Sequence, residues 1–292
     1  TGSSNFGGHQ AGSIDFVDGN TTVTEANGQA RTFNFDVYGH LSSVVGGNCS
    51  SCADGDTATY GYGVDGLLRN KTNYNGIRTW YDYNDRGLEI VRTLAYATPL
   101  AHTTTTQWHN ELSLPIKITT PSMQTDYQYG IRGRLEKITE KDLLIPTTPV
   151  RITSYSYNAI GLLASINGPR TDVIDTTSFS YYANNDLMKI IDAVGNTTHV
   201  TSHDAHGHPT SIIDANGITT ALTYDVRNRL VSQNVAGNIT DFNYDNIGQL
   251  IKITLPSGAI TLYEYSGARL LTAMADGQGN RVEYSHDVMG NV

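Results

Sequence analysis

The residue types suited to chemistry are few, and each has a structural competitor. Cys49 and Cys52 are the only cysteines, in a C-x-x-C spacing. That spacing suits a thiol–disulfide couple or half of a zinc site, but tetrahedral zinc takes four ligands and no second pair exists. A redox pair of this kind ordinarily opens a helix in an α/β fold, which the surrounding sequence does not suggest. The pair is therefore read as a disulfide or thiol staple in a surface loop. His199, His203, His206 and His208 form the densest histidine cluster. On a hairpin, His199 and His203 would share a face, with His206 and His208 beyond the turn. A metal is conceivable there, yet His203 falls where neighbouring strands carry an aromatic ring and the others fall on solvated positions, so no metal is assigned. Asp36, Asp82, Asp204, Asp225, Asp245 and Asp287 raise calcium, but the nonapeptide calcium-roll pattern is absent and Asp before a glycine turn has a sufficient structural reason. There is no Gly-x-Ser-x-Gly elbow, phosphate-cradling glycine loop or His-Glu-x-x-His. No catalytic residue and no cofactor follow from the sequence, and the chain is read as non-enzymatic.

Composition narrows the classes further. The chain has 292 residues, 19 Lys+Arg against 28 Asp+Glu, and a formal net charge of −9. Phosphate contacts need clustered Lys and Arg, so a nucleic-acid partner is excluded. No apolar run approaches the ~20 residues that span a bilayer, and Thr1–Gln10 has neither the basic start nor the apolar stretch of a secretory signal. Charged residues make up only 16%, while 18 Tyr and 29 Gly are present. Such a chain has the apolar surface for a folded, strand-rich, turn-rich protein.

The elements that position these residues come from a repeat. Phe242-Asn-Tyr244-Asp245-Asn-Ile-Gly248-Gln-Leu250 is echoed by Phe33-Asn-Phe35-Asp36-Val-Tyr-Gly39-His-Leu41, and again from Tyr81, Tyr127 and Tyr155, giving Tyr83/Gly87, Tyr129/Gly133 and Tyr157/Gly161. Degenerate copies put Trp108, Tyr181, His203, Tyr224 (followed by Asp225), Tyr265 and His286 at the second aromatic position. The glycine slot falls at 39, 66, 87, 112, 133, 161, 185, 207, 228, 248, 269 and 290, the last being Gly290, with steps of 20–22 residues from 185 onward. A second marker (Gly28, Gly55, Gly76, Ser122, Gly217, Gly237, Gly258, Gly279) precedes the slot by 11 residues, and Gly195 by 12.

Tyr-x-Tyr places two rings on one face of a strand, because the side-chain period there is two. Asp or Asn next accepts backbone N–H groups across a type I turn, and Gly three residues on takes the left-handed conformation that closes it. The following x-Leu opens the return strand with Leu set to pack on the rings. Twelve such units predict an all-β chain: about 24 strands of ~6–8 residues in one long curved antiparallel sheet. The expected organisation is a lead-in over 1–14 and a single repeat ribbon over 15–292. Extra residues fall only in the half-repeat outside the fixed spacing, at Gly46–Ala53, Tyr96–His102, Lys141–Thr148 and Arg170–Asp175. In an up-and-down meander those four loops share one rim, and the Asp-x-x-Gly turns line the other.

This frame resembles the tyrosine–aspartate repeat of the RHS/YD-repeat family, over nearly the whole chain from about Asp15 to Val292. That family includes bacterial RHS toxins, the B and C components of insecticidal toxin complexes, wall-associated contact-inhibition proteins and teneurins. The resemblance implies a hollow β-shell of many repeats that encloses or presents a C-terminal toxin or effector of the same polypeptide, in a secreted or cell-surface setting. It also implies that a chain stopping inside a repeat, at Gly290-Asn291-Val292, is a piece of something longer. A second reading is an adhesion module whose tyrosines stack on glycans. Cross-strand aromatic pairs contribute ~0.2–1 kcal/mol each, which accounts for the tyrosine ladder without a ligand.

Overall fold

The computed structural model describes residues 13–17, 19–24, 30–46 and 57–286. Cys49, Cys52, Gly28, Gly55, Asp287 and Gly290 lie outside them. Among the described residues there is no α-helix, only strands and one 3₁₀ turn at Ile131–Gly133. The chain forms two compact units, Thr1–Arg151 and Ile152–Val292.

The first unit holds β1 (Ser13–Val17), β2 (Asn20–Thr24), β3 (Ala30–Phe35), β4 (Leu41–Val45), β5 (Thr57–Tyr62), β6 (Leu68–Thr72), β7 (Arg78–Tyr83), β8 (Glu89–Leu94), β9 (His102–Trp108), β10 (Pro115–Thr119), β11 (Met123–Tyr129) and β12 (Leu135–Asp142). The second holds β13 (Arg151–Tyr157), β14 (Leu163–Asn167), β15 (Thr176–Tyr181), β16 (Leu187–Ile191), β17 (Thr197–His203), β18 (Pro209–Ile213), β19 (Thr219–Tyr224), β20 (Leu230–Val235), β21 (Asn238–Tyr244), β22 (Leu250–Thr254), β23 (Ile260–Tyr265), β24 (Leu271–Asp276) and β25 (Arg281–Glu283). Within each unit every strand pairs antiparallel with the strands before and after it. Outgoing strands have the expected six or seven residues, while many return strands have five, one fewer than the sequence predicts. The turns account for the difference, since each Asp corner takes five residues out of the ladder.

Register explains the repeat frame. In most hairpins the second aromatic faces the Leu that opens the return strand: Tyr129 pairs Leu135, Tyr157 pairs Leu163, Tyr224 pairs Leu230, Tyr244 pairs Leu250 and Tyr265 pairs Leu271. The first aromatic faces a branched residue in the best copies, as in Phe242 opposite Ile253 and Phe179 opposite Ile190. A one-residue register shift sits beside the second aromatic in each case, for example between Asn243 and Tyr244. It is the bulge that a left-handed turn residue produces, and it sharpens the local twist.

The glycine slots are left-handed. Gly39, Gly66, Gly87, Gly133, Gly161, Gly207 and Gly248 have φ between +71° and +97°, and Asn185, Asn228 and Arg269 adopt φ of +74°, +63° and +65° at the same place. One slot departs. Between Trp108 and Pro115 the corner is one residue longer, because Trp108 pairs Pro115 while Tyr244 pairs Leu250. Leu112 is not among the positive-φ residues, so the slot expected there is not a corner of this type.

The longer loops follow the meander. Residues 95–101 join β8 to β9, 143–150 follow β12, and 168–175 join β14 to β15; each emerges at the edge opposite the corner that precedes it. That edge also carries Asp-x-x-Gly turns at Asp192, Asp214 and Asp276, contrary to the expectation that such turns line one rim. The connection from β4 to β5 runs through residues outside the described set. Burial is shallow: among the described residues only Val44, Ala58, Val200 and Ala273 form a buried apolar core. A sheet with so thin a core depends on nearest-neighbour pairing, as repeat proteins do.

Candidate functional site

The residues singled out from the sequence converge on the Asp-corner rim. In the best-formed corners an Asp or Asn Oδ1 accepts two backbone N–H groups, two and four residues ahead. For Asp225 these come from Arg227 and Arg229 at 2.8 and 3.1 Å. For Asp245 they come from Ile247 and Gln249 at 3.0 and 2.8 Å. Asp36, Asn84 and Asp204 do the same. The backbone closes the corner, with Gly248 N–H donating to the Asp245 carbonyl at 3.2 Å and Asp245 N–H to the Gln249 carbonyl at 2.9 Å. The opposite edge uses the same device. Asn73, Asp192, Asp214 and Asp276 each accept from the residues two and four ahead. Reasoning from Asn-Gly pairs missed these four, although the signal was present as Asp or Asn three residues before Gly76, Gly195, Gly217 and Gly279.

The seams between hairpins hold a second recurring bond. Along β22 and β23 the ladder runs through Lys252–Leu262, Ile253–Thr261 and Thr254–Ile260 and stops short of Leu250. The Leu250 carbonyl is met instead by the hydroxyl of Tyr265, which donates at 2.8 Å. Tyr244 donates to the Leu230 carbonyl at 2.9 Å, Tyr181 to Leu163 at 2.8 Å and Tyr129 to Pro115 at 2.9 Å. At Trp108 an indole N–H replaces the phenol and donates to the Glu89 carbonyl at 2.8 Å. A carbonyl left without a ladder partner carries a desolvation cost; the aromatic tip supplies the missing donor. Burial pushes the phenols of Tyr129 and Tyr265 above their ordinary range, so both remain donors through neutral pH. The neighbouring Tyr127 and Tyr263 charges act in the same direction.

The residue between the corner Gly and the return-strand Leu covers the next hairpin's ring. Arg229 lies 4.5 Å over the Tyr244 ring while its Nε and Nη2 grip Asp225 Oδ2 at 2.8 and 2.6 Å. His40 stacks on Tyr62 at 4.8 Å and contacts Asp36 at 3.1 Å; His208 lies 4.9 Å from Tyr224 and 3.0 Å from Asp204. Tyr83 is covered similarly by Arg69, two residues further along, at 5.3 Å. Guanidinium hydrogen bonds from Arg229 hold the Asp225 carboxyl at about 2, against a smaller opposing desolvation. Asp204 is also brought to about 2, where desolvation is outweighed by the bonds from His208 and His206. The Asp225 carboxylate is committed to its own corner through both oxygens, whereas Asp204 turns Oδ2 toward the His208 ring. Ring faces covered from within the chain are poorly placed to stack on sugars.

The structure separates part of the histidine cluster. Val200 pairs Ile212 and Ser202 pairs Ser211, leaving Thr201 as a bulge. That extra residue puts His199 and His203 on opposite faces, contrary to the spacing argument. His203 takes the ladder position opposite Pro209, with Asp186 Oδ2 3.9 Å from its Nδ1. Asp204, His206 and His208 instead bring one ligand atom each within 4.8 Å of one another. In the first unit, Asp36, His40, Tyr38, Tyr60 and Tyr62 line an open cleft of about 660 Å³. Among the described residues no helix is long and apolar enough to cross a membrane.

Comparison with known proteins agrees with this geometry. Residues 203–240 and 244–281 match the RHS Repeat family. No curated protein matches the sequence. The crystal structure of TcdB2-TccC3 superposes with a TM-score of 0.67 at 16% identity, over 97% of this chain and 17% of that one. The same complex without its hypervariable C-terminal region gives 0.67 at 16% identity over 97% and 16%. The TcdB2-TccC3-Cdc42 structure gives 0.66 at 15% over 96% and 18%. The chain thus spans less than a fifth of the length of these three structures, and at this identity the likeness is one of fold. Residues 203–240 and 244–281 thus carry two adjacent RHS repeats, and the corner and tyrosine seam found in them recur in both units.

Proposed function

We propose that the chain is a wall segment of an RHS-type shell, whose role is to enclose or present a C-terminal toxin or effector region of the same polypeptide outside the producing cell. It contributes no catalysis of its own in this reading. The observation that supports the proposal most is the hairpin register repeated strand after strand within each unit, in which most corner acceptors and ladder rings are engaged by neighbouring groups of the sheet. Such a surface is built to be continuous rather than to bind one small molecule. The long superposition on TcdB2-TccC3 at 97% coverage supports it, as does the low charge of 16%, which leaves few groups for ion pairing with a confined polypeptide.

The test uses the natural full-length polypeptide. Limited digestion followed by mass spectrometry is expected to leave a C-terminal fragment intact until the shell is opened with denaturant. A C-terminal region cut as fast as an isolated peptide would overturn the proposal. A glycan array is expected to be silent; specific binding abolished by Tyr38→Ala, the exposed ring at the first-unit cleft, would favour the adhesion reading instead.

A further inference from the structure

We infer that the corner Asp204-Ala205-His206-Gly207-His208 is a binding site for a divalent transition metal of the imidazole-preferring kind, zinc or copper, held by Asp204 Oδ2 and the two imidazoles. The corner creates the geometry. Its left-handed Gly207, at φ +83°, folds the chain so that residues 204, 206 and 208 project from one side, with ligand atoms all within 4.8 Å. Asp204 Oδ1 is occupied by the backbone N–H groups of His206 and His208, which fixes the carboxylate and leaves Oδ2 facing His208 Nδ1 at 3.0 Å. The rings of His206 and His208 lie 6.0 Å apart, centre to centre. Zinc bonds of ~2.0–2.1 Å place tetrahedral donors about 3.3 Å apart. The Asp204–His208 pair is nearly there, and His206 is exposed with its ligand atom already within 4.8 Å of the other two.

Two further observations separate this corner from its homologues. Asp36 and His40 form the same pair in the first unit, but Tyr38 stands where His206 would be, so that corner offers two ligands. Asp225 and Arg229 have a guanidinium in place of the second imidazole, which cannot ligate. In addition, a second carboxylate borders the 204–208 corner: Asp186 Oδ1 lies 3.3 Å from where a Cβ on Gly207 would stand. It adds negative charge beside the site. Two imidazoles and one carboxylate with an open fourth position suit zinc and copper over magnesium or calcium, which prefer all-oxygen shells.

Isothermal titration of the 292-residue chain with ZnCl₂ and with CuCl₂, and with MgCl₂ as control, tests the site. One equivalent of zinc or copper is expected to bind, with no heat from magnesium. His206→Ala, an exposed change that keeps the backbone donors of the corner, is expected to weaken binding at least about tenfold while the circular dichroism spectrum is unchanged. His208→Leu, which installs the residue found at Leu67, Leu88 and Leu162, is expected to do the same. Cys49→Ser/Cys52→Ser is expected to bind as the parent does. Absence of binding, binding undiminished by His206→Ala, or binding lost with the cysteines would each overturn the assignment.

Discussion

The hydroxyl of Tyr244 donates to the backbone carbonyl of Leu230, fourteen residues earlier, at 2.9 Å. Leu230 opens the return strand of one hairpin and Tyr244 closes the outgoing strand of the next, so the bond crosses a seam that the backbone ladder between β20 and β21 does not cover at that end. It recurs at Tyr129, Tyr181 and Tyr265, with Trp108 as a stand-in, which favours a hydrogen-bonding aromatic at this position in those copies, while Phe35 holds the place in the first without donating. A Phe could fill the space but could not donate.

Tyr244→Phe is therefore expected to cost about 1 kcal/mol, the net worth of a hydrogen bond whose loss strands a carbonyl. Urea denaturation of the second unit's cooperative transition measures it. Phe242→Tyr, two residues away, serves as the control for ring chemistry alone and is expected to change little.

The corner slot separates backbone strain from packing. A Cβ on Gly248, at φ +97°, would meet only Arg229 Nη1 at 3.7 Å, so Gly248→Ala is expected to destabilise by about 1–2 kcal/mol from the left-handed backbone alone. Arg269 already adopts φ +65°. Arg269→Gly relieves the same strain at some cost in chain entropy and is expected to stabilise by about 0.5 kcal/mol. Opposite signs in parallel denaturation curves check the pair.

Acid sensitivity follows from Asp225. Its carboxyl sits at about 2 in the folded chain, below the ~3.9 of an unfolded Asp. A lowered folded value gives stability that is present above the unfolded value and lost as pH falls through about 2. Arg229→Leu removes the guanidinium that lowers it most, so stability measured at pH 2.5, 4 and 6 is expected to fall less steeply in the variant than in the parent.

The alkaline limb has the reverse origin. Burial raises the phenols of Tyr129 and Tyr265, and their stabilisation is complete below the unfolded value near ~10 and lost as pH rises through the raised one. Tyr265→Phe is expected to flatten the decline in stability above pH 10, read by thermal melting at pH 9, 10 and 11.

Much of the fold was legible because the corners need particular residues. Gly39, Gly87 and Gly248 marked left-handed positions, and the fixed spacing carried the reading through Asn185, Asn228 and Arg269, where no glycine stands. Leu112 failed because spacing cannot register a corner lengthened by one residue. Thr201 failed for a related reason: a bulge reverses the faces of the residues on either side of it without changing their types, which is why His199 and His203 were wrongly placed together. Of the rim, the Asp corners were readable from residue type. The seam bonds were not, since their acceptors are backbone carbonyls that leave no trace in side-chain composition. The pairing of Asp204 with His206 and His208 emerges only once the corner is built.

Amide hydrogen exchange of the parent and of Tyr244→Phe tests most directly whether each hairpin is held to the next by its aromatic tip. The predicted result is faster exchange at the Asp-corner end of the β20–β21 seam, around Leu230 and Asp245, with β15 and β16 unchanged. Protection lost evenly across the second unit, or not lost anywhere, would contradict it.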